Sequence, residues 1–171
     1  TYEIEDGYYE LSFPPVRRKF KIDKGSTITL AGDPMDAIVN ITARYSQNVA
    51  PYDLMQNQIT DPEELVYYKQ RVPTDVLLKL NGKAMQPEIA FDITIPEDKE
   101  YVVDATRITN VKNRLNVLRN NPSDINKQVF GIIVLGKYIA EDPFSSGGGG
   151  VNVEQIARQS VSRFLSTQLN N

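Results

Sequence analysis

The stretch KFKIDKGSTITLAGDPMDAIVNITARY, residues 19–45, decides the fold because it repeats one simple pattern. Apolar residues occupy every second position in three short runs, and turn residues separate the runs. Period two places alternate side chains on one face of a β-strand. Asp23-Lys24-Gly25 and Gly32-Asp33-Pro34 supply the turn signals between the runs. The stretch therefore predicts consecutive strands that share one apolar face.

The same alternation occurs on both sides of this stretch. Upstream, Tyr9, Leu11 and Phe13 alternate with polar residues. Downstream, Asn81-Gly82 begins the link between two further runs, and glycine suits the positive φ of a tight link between antiparallel neighbours. We therefore predict a mainly β fold with antiparallel strands and one continuous apolar interior. The residues expected to line that interior are Phe20, Ile22, Ile28, Leu30, Val39, Ile41, Ala43, Val76, Leu78, Leu80, Ile89, Phe91 and Ile93.

Two regions outside the strands carry helix signals. Residues 46–72 form an excursion between strands, in which Asp61 is the expected N-cap and Pro62 lies in the first turn. After residue 103 the apolar period changes from two to three and four, which is typical of a helix face. That face carries Ile108, Val111, Leu115 and Leu118. Residues 1–103 are therefore predicted as the β-sheet region, and residues 104–142 as helices packed on the sheet.

The run at residues 129–135 is apolar on nearly all sides and fits two structures. Asn120-Asn121-Pro122 ends the preceding helix, and Ser123 is expected to cap the next one. A fully buried helix and a core strand both explain such a run. The upstream cap favours the helix.

The end of the chain divides into a linker and an amphipathic helix. Residues 143–151 have the glycine and serine content of a flexible linker. Residues 152–171 place an apolar stripe opposite a polar face whose cations are Arg158 and Arg163, so packing on protein is favoured over membrane binding. The residues expected to contact a partner are Val153, Ile156, Val161, Phe164 and Leu165.

Composition argues against several classes of function. The 171 residues carry a formal net charge of -3, which argues against nucleic acid as the main partner. Histidine and cysteine are both missing from the sequence, and with them the commonest general base and zinc ligands. The acidic pairs Glu63-Glu64 and Glu97-Asp98 are interpreted as solvated, because acid–base catalysis needs carboxylates that converge across a cleft. We therefore expect no enzymatic activity, no metal and no cofactor.

One basic cluster stands out against the negative net charge. Alternation places Arg17 and Lys19 beside Lys21 on the polar face of a strand, whereas Arg18 falls on the other face. A solvated row of charge that protects a sheet edge is one explanation. Contact with an anionic headgroup or another anionic partner is the second.

Three blocks of the sequence, in their order along the chain, resemble the C-terminal region of the TamB family. The first block contains residues 25–34 and 37–43, the second contains residues 73–82 and 87–96, and the third contains residues 126–138. Each block alone is short, but the ordered set covers most of the chain.

The resemblance implies a periplasmic protein of diderm bacteria, anchored in the inner membrane and reaching an outer-membrane barrel of the TamA or BamA type. It implies a U-shaped antiparallel sheet, the β-taco, whose apolar interior is a groove for phospholipid acyl chains. It also implies a role in outer-membrane protein assembly, phospholipid transport, or both. The chain has no anchor and no β segment after its last helix, so we expect a piece of a longer protein.

Three functions remain open from the sequence. Lipid transport along the apolar groove is the leading interpretation. A structural module that scaffolds barrel assembly through its strand edges is the second. The third is a β-sandwich that binds a glycan or a protein, with Tyr8, Tyr67 and Tyr68 as candidates for an aromatic surface. Alternation does not separate an open trough from a sealed core, because both use the same apolar area.

Overall fold

The computed structural model describes residues 1–141, and most of the first hundred lie in strands or their links. The strands are β1 (Tyr2–Ile4), β2 (Tyr8–Phe13), β3 (Val16–Ile22), β4 (Ser26–Ala31), β5 (Asp33–Val49), β6 (Val72–Lys83) and β7 (Glu88–Thr94). The helices are α1 (Tyr52–Met55), α2 (Pro62–Val66), α3 (Ala105–Leu118) and α4 (Pro122–Phe130), with a 3-10 turn at Tyr67–Lys69 and a π-helical turn at Gly131–Leu135.

The predicted mainly β fold with C-terminal helices is confirmed. The seven strands form one sheet, which is mostly antiparallel and stays open within residues 1–141. The linker predicted at residues 143–151 and the helix predicted at residues 152–171 lie outside the described residues. That region includes the predicted partner contacts Val153, Ile156, Val161, Phe164 and Leu165.

The turn predicted at Asp23-Lys24-Gly25 is present, but it does not reverse the chain. β3 and β4 both pair antiparallel with β5, through Ile22 opposite Ala43 and Thr27 opposite Asn40. They are therefore two halves of one strand path, interrupted by the tripeptide. Gly25 has a positive φ of +86°. A bulge within a strand and a turn that reverses the chain both use this conformation, so the same sequence signal marks either one.

The remaining strands continue this arrangement. β1 pairs with β4 and β2 pairs with β3, so they too follow one path, although β1 was not predicted. β6 pairs with β5 and with β7. The amide of Ala84 donates to the carbonyl of Ala37 at 2.8 Å, and Ser46 Oγ donates to Asp75 at 2.6 Å, so β6 runs opposite to β5. The seven strands thus occupy five positions across the sheet. β1 and β2 share one position, β3 and β4 share the next, and β5, β6 and β7 each occupy one.

Backbone contacts divide the described chain into two compact units. The first contains Thr1–Tyr45 and Leu77–Phe91, and the second contains Ser46–Val76 and the described residues from Asp92 onward. The excursion after β5 and the helices after β7 therefore share the second unit. The predicted face of α3 is confirmed, because Ile108, Val111, Leu115 and Leu118 are all buried there.

Helix starts in the second unit follow simple capping chemistry. Asp61 caps α2 by accepting from the amide of Glu63, as predicted, with Pro62 at the first helical position. The predicted cap at Ser123 is wrong, because Asn121 caps α4 and accepts from the Ser123 amide at 3.1 Å. Pro122 fits the first helical position, where its missing N–H costs nothing, so the cap lies one residue before it. Residues 129–135 are helical, which confirms the favoured alternative.

The segment after the π-helical turn folds back along α4. Gln128 is buried, and its side-chain amide pairs with Ile139 twice at 2.8 Å, donating to the carbonyl and accepting from the N–H. This pairing imitates a strand ladder and satisfies the N–H and C=O groups of Ile139. Gly136 ends the turn with φ +69°.

We predict that Gln128→Leu lowers the free energy of unfolding by about 2–6 kcal/mol. The substitution leaves the N–H and C=O of Ile139 without partners, and each unpaired group costs about 1–3 kcal/mol. Urea denaturation followed by circular dichroism measures the loss. The matched control is Gln58→Leu at an exposed position of the same unit, which should change stability little. Equal effects of the two substitutions would show that the Gln128 pairing adds no stability.

Gly131 provides a test of how closely the π-helical turn approaches the segment that follows it. We expect alanine to destabilise the protein there, although helix propensity alone predicts the opposite. Alanine normally stabilises a helix relative to glycine by about 0.5–1 kcal/mol. At Gly131, however, a Cβ would lie 2.6 Å from the Lys137 carbonyl oxygen and 2.8 Å from Ile139 Cγ1. We therefore expect Gly131→Ala to destabilise by about 1–3 kcal/mol. Gly7→Ala is the control, because its Cβ would meet the flexible end of Ile22 at 3.3 Å and Ile4 Cγ2 at an ordinary contact distance of 3.8 Å. An unchanged or higher melting temperature for Gly131→Ala would contradict the close approach.

Candidate functional site

The candidate site is the apolar face of the first unit, which strand register assembles from separate parts of the sequence. Directly opposed residues of antiparallel strands share a face. Tyr9 lies opposite Phe20, Ile22 opposite Ala43, and Ile28 opposite Val39. Alternation within β5 adds Ile41 between Val39 and Ala43. The predicted residues of β3, β4 and β5 therefore form one continuous row across the sheet.

Most of the predicted residues on this face are buried. Phe20, Val39, Ile41 and Ala43 are at most 3% exposed, and Ile22 is 6% exposed. From β6 and β7, Leu78, Leu80 and Phe91 are buried within the same unit, and Val76 and Ile93 are buried within the second unit. The predicted list of lining residues left out Tyr9, Leu11 and Ala37, which are also buried in the first unit. Tyr9 and Leu11 belong to a predicted alternating run but not to that list. The period-two signal that selected their neighbours also includes all three.

The apolar face is accessible to solvent at one end. Ile28 and Ile89 are only half-buried, and Leu30 is 39% exposed. Tyr2 lies directly opposite Ile28 and is 65% exposed. The pairing of β4 with β5 shifts register between Thr29 and Ala31, so the ladder is irregular at the end where Leu30 lies. Exposure along β4 thus increases from Ser26 to Leu30.

A cation lies at another border of the apolar face. Arg18 is opposite Leu11, and its guanidinium carbon lies 5.9 Å from the centre of the Tyr45 ring. The Tyr45 ring in turn lies 5.7 Å from the ring of Phe20. Arg18 is half-buried, so its stem covers apolar surface while its charge stays near an aromatic face.

The opposite face of the first unit is polar, as alternation predicts. Arg17, Lys19 and Lys21 are all exposed on β3. Arg44, on the same face of β5, forms a two-point ion pair with Asp23 at 2.7 and 2.8 Å. Beside this pair lies a crevice with mainly charged walls, made of Glu3, Glu5, Asp6, Lys21, Ile22, Asp23, Lys24 and Arg44. The crevice contains carboxylates and cations together, and it shares only Ile22 with the apolar row.

The polar side chains of the second unit bind one another. Arg107 donates to Glu64 at 2.8 and 3.0 Å and also contacts Asp104. Its guanidinium carbon lies 3.8 Å from the centre of the Tyr67 ring. The hydrogen bond from Arg107 lowers the pKa of Glu64. Glu64 was predicted to be solvated, but this pairing joins α2 to α3 and gives the carboxylate a structural role.

Two tyrosines of the second unit have raised pKa values because burial disfavours the phenolate. Tyr138 is fully buried, and desolvation raises its pKa. Desolvation also raises the pKa of Tyr101, and the charges of Asp98 and Glu97 add to the effect. Both phenols therefore stay neutral at physiological pH. Tyr68 is buried as well, so the predicted aromatic surface of Tyr8, Tyr67 and Tyr68 is wrong for that residue.

Within residues 1–141 there is neither a cluster of metal ligands nor a membrane-spanning helix. Among residues 1–141, no three side chains of the histidine, cysteine, aspartate or glutamate type lie close enough to hold a metal ion. The helices of that range are too short or too polar to cross a bilayer.

Comparison with known proteins identifies the family. The family model of the TamB C-terminal domain matches residues 1–171, the whole chain. No curated protein and no solved structure matches the chain. The open, mostly antiparallel sheet with its apolar face agrees with the taco-like sheet that the resemblance implied. The chain therefore belongs to the TamB family, whose members act in envelope and outer-membrane biogenesis together with outer-membrane assembly factors.

Proposed function

We propose that the chain binds phospholipid acyl chains along the apolar face of its first unit and serves phospholipid transport between membranes. The observation that carries the proposal is the in-register row formed by Phe20, Ile22, Val39, Ile41 and Ala43. Acyl chains need apolar area and no specific polar partner, and burial of each CH₂ group contributes about 0.8 kcal/mol. A sheet face that is apolar over several strands meets this requirement.

The exposed end of the face is the entry point in this proposal. Most of the row is buried, so an acyl chain can reach it only from a border where solvent already has access. Leu30 and Ile28 lie at that border, and Tyr2 lies beside them. Tyrosine combines an apolar ring with a polar tip, which suits the boundary between a lipid chain and water. Lipid therefore enters past these residues and moves toward Ile41.

The family supports a location and partners for this activity. The protein acts in the periplasm as part of an inner-membrane-anchored chain that reaches the outer membrane. Its protein partner is an outer-membrane barrel of the TamA or BamA type, and its cargo is phospholipid. We expect no nucleic-acid partner, since the net charge is -3, and no enzymatic role.

A second candidate function uses the edges of the sheet. Within residues 1–141, β2 pairs with β3 alone and β7 pairs with β6 alone. An edge strand offers backbone N–H and C=O groups to an added strand. The chain would then scaffold barrel assembly by strand addition, with the apolar face as an ordinary core. Arg119 already occupies part of β7, because it donates to the Ile93 carbonyl at 2.6 Å and to Asp92 at 2.7 Å.

We predict that Ile28→Arg keeps the fold and lowers the lipid recovered per mole of purified protein by about tenfold or more. Position 28 is half-buried, so the guanidinium can reach water in the free protein. Bound acyl chains would confine that charge, and a cost of about 1.4 kcal/mol corresponds to a tenfold loss of affinity. Mass spectrometry of extracted lipid measures occupancy, and thermal unfolding reports the fold.

The matched control is Ile38→Arg on the opposite face of β5. Ile38 is 42% exposed and lies opposite Thr29, so the same charge change there should leave lipid recovery unchanged. Ile41→Arg, inside the row, and Phe91→Arg, buried elsewhere in the same unit, should keep a cooperative transition while lipid recovery falls. If both inner variants unfold and the parent protein never carries lipid, the face is a sealed core and the edge function gains support.

A further inference from the structure

The outer face of the first unit carries a row of cations that the proposed lipid path does not use. Arg17, Lys19 and Lys21 alternate along β3, so their side chains point to one face at intervals of about 7 Å. All three are exposed. No ion pair in residues 1–141 involves any of them, whereas Arg44 on the same face is held by Asp23.

The neighbours of this basic row on β2 add little negative charge. Arg17 lies opposite Ser12, Lys19 opposite Glu10, and Lys21 opposite Tyr8. Glu10 is therefore the single carboxylate directly across from three cations. At the Lys21 end, the crevice carboxylates limit the extent of the row. The positive charge is thus concentrated over Arg17 and Lys19 and decreases toward the crevice.

We propose that this basic row docks the first unit on an anionic phospholipid bilayer, with Tyr8 at the headgroup level. A bilayer presents phosphates side by side without a fixed register, which suits three separate cations on one face of a strand. Tyr8 is 58% exposed on the same face, and tyrosine is enriched where protein meets the membrane interface. Each cation contributes about 1 kcal/mol near an anionic membrane, so the attachment is weak and reversible.

Such docking is chemically independent of acyl-chain binding. Alternation separates Arg17, Lys19 and Lys21 from Phe20 and Ile22, so headgroups and acyl chains would contact opposite faces of β3. Contact with headgroups holds the unit at a membrane surface without occupying the apolar row. The docking proposal therefore stands even if the apolar face carries no lipid.

The test measures binding of the 171-residue chain to vesicles that contain phosphatidylglycerol, with pure phosphatidylcholine vesicles for comparison. The variant Arg17→Gln/Lys19→Gln/Lys21→Gln should bind phosphatidylglycerol vesicles about 100-fold more weakly, and each single change about fivefold. Binding of the parent should be strong at about 0.01 M salt and largely lost at about 1 M, because the screening length falls from about 30 to about 3 Å.

The matched control is Lys99→Gln/Lys127→Gln/Lys137→Gln, which removes the same charge from exposed positions elsewhere. This control should lower binding far less than the row variant does. Lys19→Arg/Lys21→Arg should retain binding. The proposal is overturned if the parent does not bind at low salt, or if the row and control variants bind alike. Aggregation of the row variant with unchanged vesicle binding would likewise overturn it and assign the cations to edge protection.

The two proposals can fail separately. Lipid recovered from the row variant should equal that of the parent, and Ile28→Arg should bind phosphatidylglycerol vesicles as the parent does. Loss of vesicle binding in the row variant with normal lipid recovery would support docking alone. Normal docking with no recovered lipid would contradict the acyl-chain proposal and leave the docking proposal intact.

Discussion

The face arrangement of the first unit depends on one irregularity, the insertion between β3 and β4. Between the pairs Ile22–Ala43 and Thr27–Asn40, the β3–β4 path has four residues where β5 has two. The excess is an even number, so apolar residues keep the same face on both sides of it. Ser26 closes the gap, since its hydroxyl contacts both the N–H and the carbonyl of Thr42. An odd excess would turn Ile28 and Leu30 to the polar face.

Because the excess is even, charged and apolar side chains also stay on opposite faces along the whole β3–β4 path. Lys21 and Ile22 are neighbours, yet one joins the basic row and the other the apolar row. Arg18 is the exception among the cations, because it lies two residues before Phe20 and therefore on the apolar face. Its position beside Tyr45 shows how a long cation is accommodated on an apolar face: the stem packs and the guanidinium approaches an aromatic ring. The two proposed lipid contacts therefore follow from one register.

Periodicity could predict the apolar row but not its borders. Phe20, Val39 and Ile41 are buried because alternation alone sets their face. Leu30 is exposed where the pairing of β4 with β5 shifts register, and no local sequence pattern encodes that shift. Periodicity also could not predict which side chains form specific hydrogen bonds, such as Arg107 with Glu64 and Gln128 with Ile139. The cap at Asn121 could have been found, since a proline at the first helical position fixes the cap one residue earlier.

The two kinds of lipid contact differ in their physics, and ionic strength separates them. Contact between acyl chains and the apolar row depends on buried area and does not weaken as salt is added. Contact between headgroups and the basic row is a sum of exposed charges, which salt screens over a few ångströms. A unit that kept its acyl chains but left the membrane at high salt would therefore be using both faces. Because β3 carries one set of side chains on each face, the same short strand would then bind acyl chains on one face and membrane headgroups on the other.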